Sequence, residues 1–389
     1  MTCHTDNERD QAEPTNRAAG ASLKPVTTTA RPLPSRRLVL AASALASGMA
    51  LPRARAQTAR RNIKLGFDNF AVRAFKWKAS ALIDFAAHNR LDSLFITDLD
   101  AFESRDSGHL RELRKRAEAE NVQIHLGTWS VCPTSTTFKK DWGNADEHLA
   151  LGLRMASDLG SPVLRVILGN SQDRLTPGGI EARIRDMVKV LRRARKRAKD
   201  AGIKIAVENH AGDMRSHELV SLVERAGKDF VGVNIDPGNA VWALEDPLHH
   251  LEILGPYTLT SSMRDSNVWV SEKGVTVQWT AMGDGVIDFV SYMDRFATLC
   301  PGVPVHIETI SGFNREFPLF EPGFWQAYKD VSGEALARLW RLARNGKPNP
   351  GWKAPAGEEQ ARAEQAYQKD QLLRSLHHCK EKLGLGLKT

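Results

Sequence analysis

The chain has 389 residues, with 54 Lys/Arg against 46 Asp/Glu and a formal net charge of +8. Residues 1–56 hold eight of those bases and four of those acids, so the remaining 333 residues carry 46 against 42, a net of +4, which argues against a nucleic-acid partner. Four cysteines become three beyond that segment, and Cys132, Cys300 and Cys379 show no CxxC spacing, so a disulfide framework is not expected.

The first element in chain order is an export signal. A polar Pro/Thr-rich stretch leads to Ser35, Arg36 and Arg37, then to an apolar run over 38–51, then to the small-x-small site Ala54-Arg55-Ala56. The paired arginines resemble the twin-arginine signal, and the apolar run is too short and too rich in Ala, Ser and Gly for a membrane span. The expectation is a signal over 1–56 and a periplasmic or secreted protein with no stable membrane insertion.

From residue 62 to residue 344, apolar strand-like runs alternate with amphipathic helical stretches. The predicted strands are 63–67, 93–97, 122–127, 163–168, 203–208, 231–236, 257–263 and 303–308, with helices such as 81–88, 110–120, 149–159 and 180–201 between them. Eight parallel strands with helical crossovers predict an α/β fold, a (β/α)8 TIM barrel over 57–346. Residues 264–285 read as a long connection after the seventh strand, of the kind that forms lids or binding loops. Residues 347–389 read as a Pro/Gly linker and a C-terminal helical extension over 357–383, packed on the outside of the barrel through Leu372, Leu373, Leu376, Cys379 and Leu383.

Three predicted strands end in carboxylates: IKIAVE in Glu208, FVGVNID in Asp236 and VPVHIE in Glu308. A lone acid at a strand end is usually a cap or turn former. Three on parallel strands can converge on one barrel face, where like charges need a cation to stay ionised together, and this points to a divalent metal.

With VENHAGD, NIDPGN, HIET and the GDGVIDF stretch at 283–289, residues 62–340 resemble the xylose isomerase-like TIM-barrel superfamily of sugar isomerases, epimerases and their relatives, endonuclease IV among them. In the epimerase branch a divalent ion, often manganese, is held by a Glu, an Asp, a His and a Glu at the ends of strands five to eight. The resemblance implies Glu208, Asp236 and Glu308 as ligands of an ion such as Mn, Mg, Co or Zn, with Glu208 and Glu308 as the proton-transfer pair. The chain departs from the pattern in SSMRDS, where Ser262 stands in the place of the strand-seven His, and in DPGN, where Asn239 stands in the place of a common His. These departures leave three carboxylates plus water or a substituted ligand, a weakened metal site, or a barrel without metal that only binds sugars.

The resemblance implies a small carbohydrate or sugar-acid substrate, unphosphorylated because export removes the protein from cytoplasmic sugar phosphates. Proton transfer next to a carbonyl is the expected chemistry, as isomerase/epimerase, or alternatively as a lyase or decarboxylase on a 3-oxo sugar acid; the VENHAGD, DPGN and RDS stretches resemble the 3-oxoisoapionate decarboxylase-like branch. His210, Arg264, Asn239 and Trp129 are the candidate substrate contacts, with Asn69, Asp98 and Asn170 as further hydroxyl partners. For Arg264 the alternatives are a grip on a substrate carboxylate and a salt bridge to Asp265. His125 and His306 fall inside strands and read as core histidines. The sequence leaves the oligomeric state open, a homo-oligomer included.

Overall fold

In a computed structural model, residues 60–388 are described, and the export signal expected over 1–56 lies outside them. Each of the eight apolar runs becomes a parallel strand, because a strand covered by side chains within the barrel and by helices outside it must be apolar on both faces. The strands are β1 (Leu65–Asp68), β2 (Ser93–Ile96), β3 (Gln123–Ser130), β4 (Val163–Ile167), β5 (Lys204–Glu208), β6 (Val231–Ile235) and β7 (Thr258–Ser261), with Val305–Ile307 as the eighth. The last pairs in parallel with β1, Leu65 opposite Val305. It meets the chain beyond β7 through Met263 N to His306 O at 2.7 Å and Glu308 N to Met263 O at 2.9 Å, which closes the barrel. Gly66 is required here, because a Cβ at that position would lie 2.3 Å from the Ser93 carbonyl oxygen of the neighbouring strand.

Helices α1 (Ala79–His88), α2 (Ser107–Ala119), α3 (Ala145–Leu159), α4 (Gly179–Asp200) and α5 (Ser216–Ala226) follow the first five strands. After β6 come the short α6 (Pro237–Trp242) and α7 (Pro247–Leu254). Inside the barrel His125 and His306 stand with ring centroids 4.9 Å apart beside Phe95. His125 pairs with Thr260 Oγ1 at 2.9 Å and His306 with the Ser261 carbonyl at 3.1 Å, and burial holds both rings neutral, His306 pushed down to about 3.

Residues 264–285 are not an open loop. They form the antiparallel strands β8 (Asp265–Ser271) and β9 (Gly274–Thr280), and with β10 taken as the eighth barrel strand, Val305–Ile307, the following β11 (Asn314–Phe317) adds to β9 to make a separate three-stranded sheet. The alternation in VWVSEKGVTVQW carries the signal, and it was masked because both faces of this hairpin are covered. Val268, Val275, Val277 and Trp279 share a second apolar core with Trp242, Phe317, Tyr328 and Leu339, the last on α9 (Gly333–Ala343).

α8 (Phe289–Leu299) follows the hairpin, and α10 (Gln360–Glu381) ends the chain's helices. Leu372, Leu376, Cys379 and Leu383 belong to the main core, and Ala74 N donates to Gln368 Oε1 at 2.8 Å. The C-terminal helix therefore packs against the 3-10 segment Asn69–Phe75 after β1 and against β10. Leu373, expected in its apolar stripe, is exposed instead. Cys132, Cys300 and Cys379 are buried free thiols. Among the described residues no helix is long and apolar enough to cross a membrane.

Candidate active site

The strand ends converge on one mouth of the barrel, and the three carboxylates meet there. Glu208, Asp236 and Glu308 each offer an oxygen within 4.8 Å of the others, a grouping that could hold a metal ion. Asp236 caps α6, accepting from Gly238 N at 2.8 Å and Asn239 N at 3.1 Å. Asn209 ties the ends of β5 and β6 together, its amide donating to the Asp236 carbonyl at 2.8 Å and its Oδ1 accepting from Asp236 N at 2.9 Å.

Two arginines stand among these acids. Arg165, a charged residue in the otherwise apolar run VLRVI of β4, directs Nε to Glu208 Oε2 at 2.5 Å and Nη1 to the Thr128 carbonyl at 3.0 Å. Arg264, just before β8, places Nη2 on both Asp236 Oδ2 and Glu308 Oε2. Asp265 is not its partner: that carboxylate turns away to accept from Ser266, Gly283, Gly285 and Ile287 N, tying down the GDG segment.

The charges are uneven in consequence. Burial alone would raise Glu208, yet Arg165, His210 and Arg264 outweigh it and hold the carboxyl below its ordinary range. Burial dominates at Glu308 and raises it well above that range, with Arg264 opposing. It also pushes Asp236 up to about 7 against the pull of Arg264, and Asp68, at the end of β1, up to about 6. Two buried acids whose environments push them in opposite directions are the arrangement that acid/base chemistry uses.

A cavity of about 580 Å³ opens above this floor. Arg165, His210, Asn239, Arg264 and Glu308 line it, and Phe70, Trp129, Trp142, Trp242, Trp279 and Ile310 supply apolar wall. All four residues expected to contact substrate, His210, Arg264, Asn239 and Trp129, stand on this one cavity, as does Asp98. Glu208 is fully buried behind them: Arg165 and Asn234 donate to its Oε2 and Asn239 to its Oε1. Of the two carboxylates expected to flank a substrate, Glu308 is the one on the cavity surface. Asn69 accepts from Thr97 N, and Asn170 caps a 3-10 turn.

His210 donates Nδ1–H to the Gly169 carbonyl at 2.7 Å, which leaves Nε2 as the lone-pair nitrogen. Burial holds the ring below its ordinary range, against the pull of Glu208 and with Arg165 reinforcing it, so the imidazole is neutral at neutral pH. Trp129 packs edge-on against it at 5.5 Å. Trp242 and Trp279 stack at 4.1 Å, and Trp279 Nε1 donates to the Gly238 carbonyl at 2.9 Å.

Sequence reasoning missed Arg165, Asp68, Asn234, Trp142 and Trp242, and placed Trp279 only in the long connection after strand seven. An arginine within an apolar strand was a legible signal for the first, and an acid ending LGFD for the second. The tryptophans come from separate segments, and no local pattern joins them.

The donor set tests whether a divalent ion fits. Three carboxylates have the hard-oxygen chemistry. Ser262, however, offers only a hydroxyl, engaged with Asn234 at 3.2 Å and Asp68 at 3.3 Å, and the Arg264 guanidinium holds the space between Asp236 and Glu308. With Arg264 so placed the residues present do not fit a shared divalent ion.

Comparison with known proteins gives a consistent picture. Residues 65–321 match the family model described as xylose isomerase-like TIM barrel. YihM of Escherichia coli K12, an uncharacterised protein, is 24% identical over 272 residues, covering 66% of this chain and 76% of its own. The 3-oxo-isoapionate decarboxylase of Pectobacterium atrosepticum is 23% identical over 231 residues, covering 56% of this chain and 75% of its own. Among solved structures, the IolI protein with a bound zinc atom aligns at a TM-score of 0.52 and 15% identity, over 73% of this chain and 97% of that one. D-psicose 3-epimerase of Clostridium cellulolyticum H10 aligns at 0.50 and 16%, over 81% and 99%. At these identities the structural likeness is one of fold.

Proposed function

The chain belongs to the xylose isomerase-like TIM-barrel family, and on that footing we propose that it is an exported enzyme that binds an unphosphorylated carbohydrate or sugar acid and moves a proton at a carbon next to a carbonyl. The observation that carries this reading is the pairing, on one aromatic-walled cavity, of a carboxyl with raised proton affinity, Glu308, and a neutral imidazole, His210. Tryptophan faces suit the C–H faces of a sugar, and the few polar groups at the floor fix its orientation. The neutral imidazole takes up a proton and the protonated carboxyl returns one, so substrate and cavity end with the same proton count. Arg165 and Arg264 direct fixed positive charge at the floor, where an enediolate would develop its negative charge.

Incubating the protein with keto-sugars and 3-oxo sugar acids in deuterated solvent tests this reading. Deuterium should enter the substrate at the carbon beside the carbonyl. A panel that binds but shows no exchange, isomerisation, elimination or carbon dioxide release would leave a sugar-binding barrel without chemistry.

A second reading, decarboxylation of a 3-oxo sugar acid, is favoured by the two guanidiniums on the cavity and by the similarity to 3-oxo-isoapionate decarboxylase. In that case the carbon–carbon electron pair forms the enediolate as carbon dioxide leaves, and one proton is then delivered to carbon. Carbon dioxide release without isomerised product selects it.

Export through the twin-arginine route predicts that Arg36→Lys with Arg37→Lys leaves the precursor in the cytoplasm. Unchanged export of the wild-type protein from cells lacking that pathway refutes the route.

A further inference from the structure

We propose that the guanidinium of Arg264 replaces the divalent cation that the three strand-end carboxylates would otherwise require, so that the cavity floor works with a fixed organic cation and no metal ion. The inference concerns the same cavity as the proposed proton transfer, but it stands on the hydrogen-bonding of the floor and not on turnover.

The first support is the direction of the hydrogen bonds. Five of the six carboxylate oxygens of Glu208, Asp236 and Glu308 accept from N–H groups: Glu208 from Arg165, Asn234 and Asn239, Asp236 from Arg264, Asn239 and Gly238, and Glu308 from Arg264. A cation between the acids would have to displace these donors, Arg264 first. Asn239 and Ser262, which stand where relatives of the family pattern carry histidine, do not restore a nitrogen ligand: the Asn239 amide points its hydrogens at two of the acids. The lining directs N–H donors, two guanidiniums among them, at the three carboxyl groups.

The second support is that Arg264 is built into place by three separate elements. The residue is 1% exposed, the guanidinium lies 4.4 Å from the Trp279 ring centroid, and Trp279 is itself pinned to α6 and stacked on Trp242. Gly238 makes the room: a Cβ there would stand 2.3 Å from Arg264 Cγ. A residue held this way by a hairpin, a helix turn and two carboxylates is not a side chain resting temporarily in a vacant site.

A guanidinium in this position cannot act as a Lewis acid. It offers planar N–H donors and a charge that does not titrate, which suits a substrate carbonyl or carboxylate held by hydrogen bonds.

Elemental analysis of the purified protein, together with thermal unfolding in the presence of EDTA, Mn2+ or Zn2+, tests the substitution. The wild-type protein should carry no stoichiometric divalent ion, and its midpoint should move with neither chelator nor metal. Arg264→Ala should uncover the carboxylates and gain one Mn2+ or Zn2+ per chain, read as a midpoint that climbs with added metal and falls back with EDTA; Arg264→Lys, whose ammonium still fills the gap, should not. A wild-type protein that purifies with one ion per chain, released by Asp236→Asn, overturns the inference, as does a folded Arg264→Ala that takes up no metal. If Arg264→Ala does not fold, the ion content of wild type and of Arg264→Lys decides. Metal in the wild type alongside deuterium exchange would sink this inference and leave the proton-transfer reading intact; no metal and no exchange would do the reverse.

Discussion

Glu308→Gln is expected to lower turnover by about 10²-fold or more, the scale for losing a positioned acid/base group, with the larger part of the loss in kcat. Glu308 is the carboxyl on the cavity surface, and burial raises its affinity for a proton well above the ordinary range. The amide keeps the volume and an oxygen that can still accept from Arg264, so the bridge to Asp236 survives while the exchangeable proton is lost. The fold should be retained, and a thermal midpoint close to that of the wild type provides the control. Full turnover, or full deuterium incorporation, in a folded Glu308→Gln would remove Glu308 from the proton path. His210 would then have to work with another group.

The largest loss of stability is expected at Arg165→Met, about 3–5 kcal/mol, the cost of leaving a buried charge without its partner. Methionine fills the stem's volume, but Glu208 then keeps only the neutral amides of Asn234 and Asn239. The double variant with Glu208→Gln should recover much of the loss, and denaturant unfolding of all four proteins gives the coupling. The pH dependence follows from the direction of the shift. In the wild type Glu208 sits below its ordinary 4.5, so its stabilisation is present above the unfolded value and is lost only as pH falls through the lower folded value. Without Arg165 the largest opposition to burial is gone and only His210 and Arg264 still pull the carboxyl down, so the folded variant binds a proton at higher pH than the folded wild type does. Its deficit relative to the wild type should therefore narrow as pH is lowered. A deficit below about 1 kcal/mol, the level of an exposed pair, would mean that the Arg165–Glu208 contact carries no such burden.

The barrel was legible because its signal is local and repeated. A strand covered on both faces writes itself as an apolar run, and eight such runs alternating with helical stretches leave little choice of topology. The hairpin after β7 was misread as a loop for the converse reason: coverage by the Trp242 core came from elements far along the chain, and seven residues of alternation do not announce a sheet whose partner strand lies at 314–317.

The candidate site divides in the same way. Glu208, Asp236 and Glu308 each end a predicted strand, and parallel strands of one barrel deliver their ends to one mouth, so their meeting within 4.8 Å was determined by the sequence. So was the presence of His210, Asn239, Arg264 and Trp129 on that mouth, since His210, Asn239 and Arg264 each follow a strand and Trp129 lies in β3, one residue before its end. What neutralises the acids was not. Arg264 lies beside Asp265 in the chain but pairs with Asp236 and Glu308, 28 and 44 residues away, while Asp265 spends its oxygens on four backbone N–H groups. The partner of a buried charge is chosen by which groups share its low-dielectric volume, and that volume exists only once the strands have closed and Trp279 and Gly238 have shaped the space for a guanidinium.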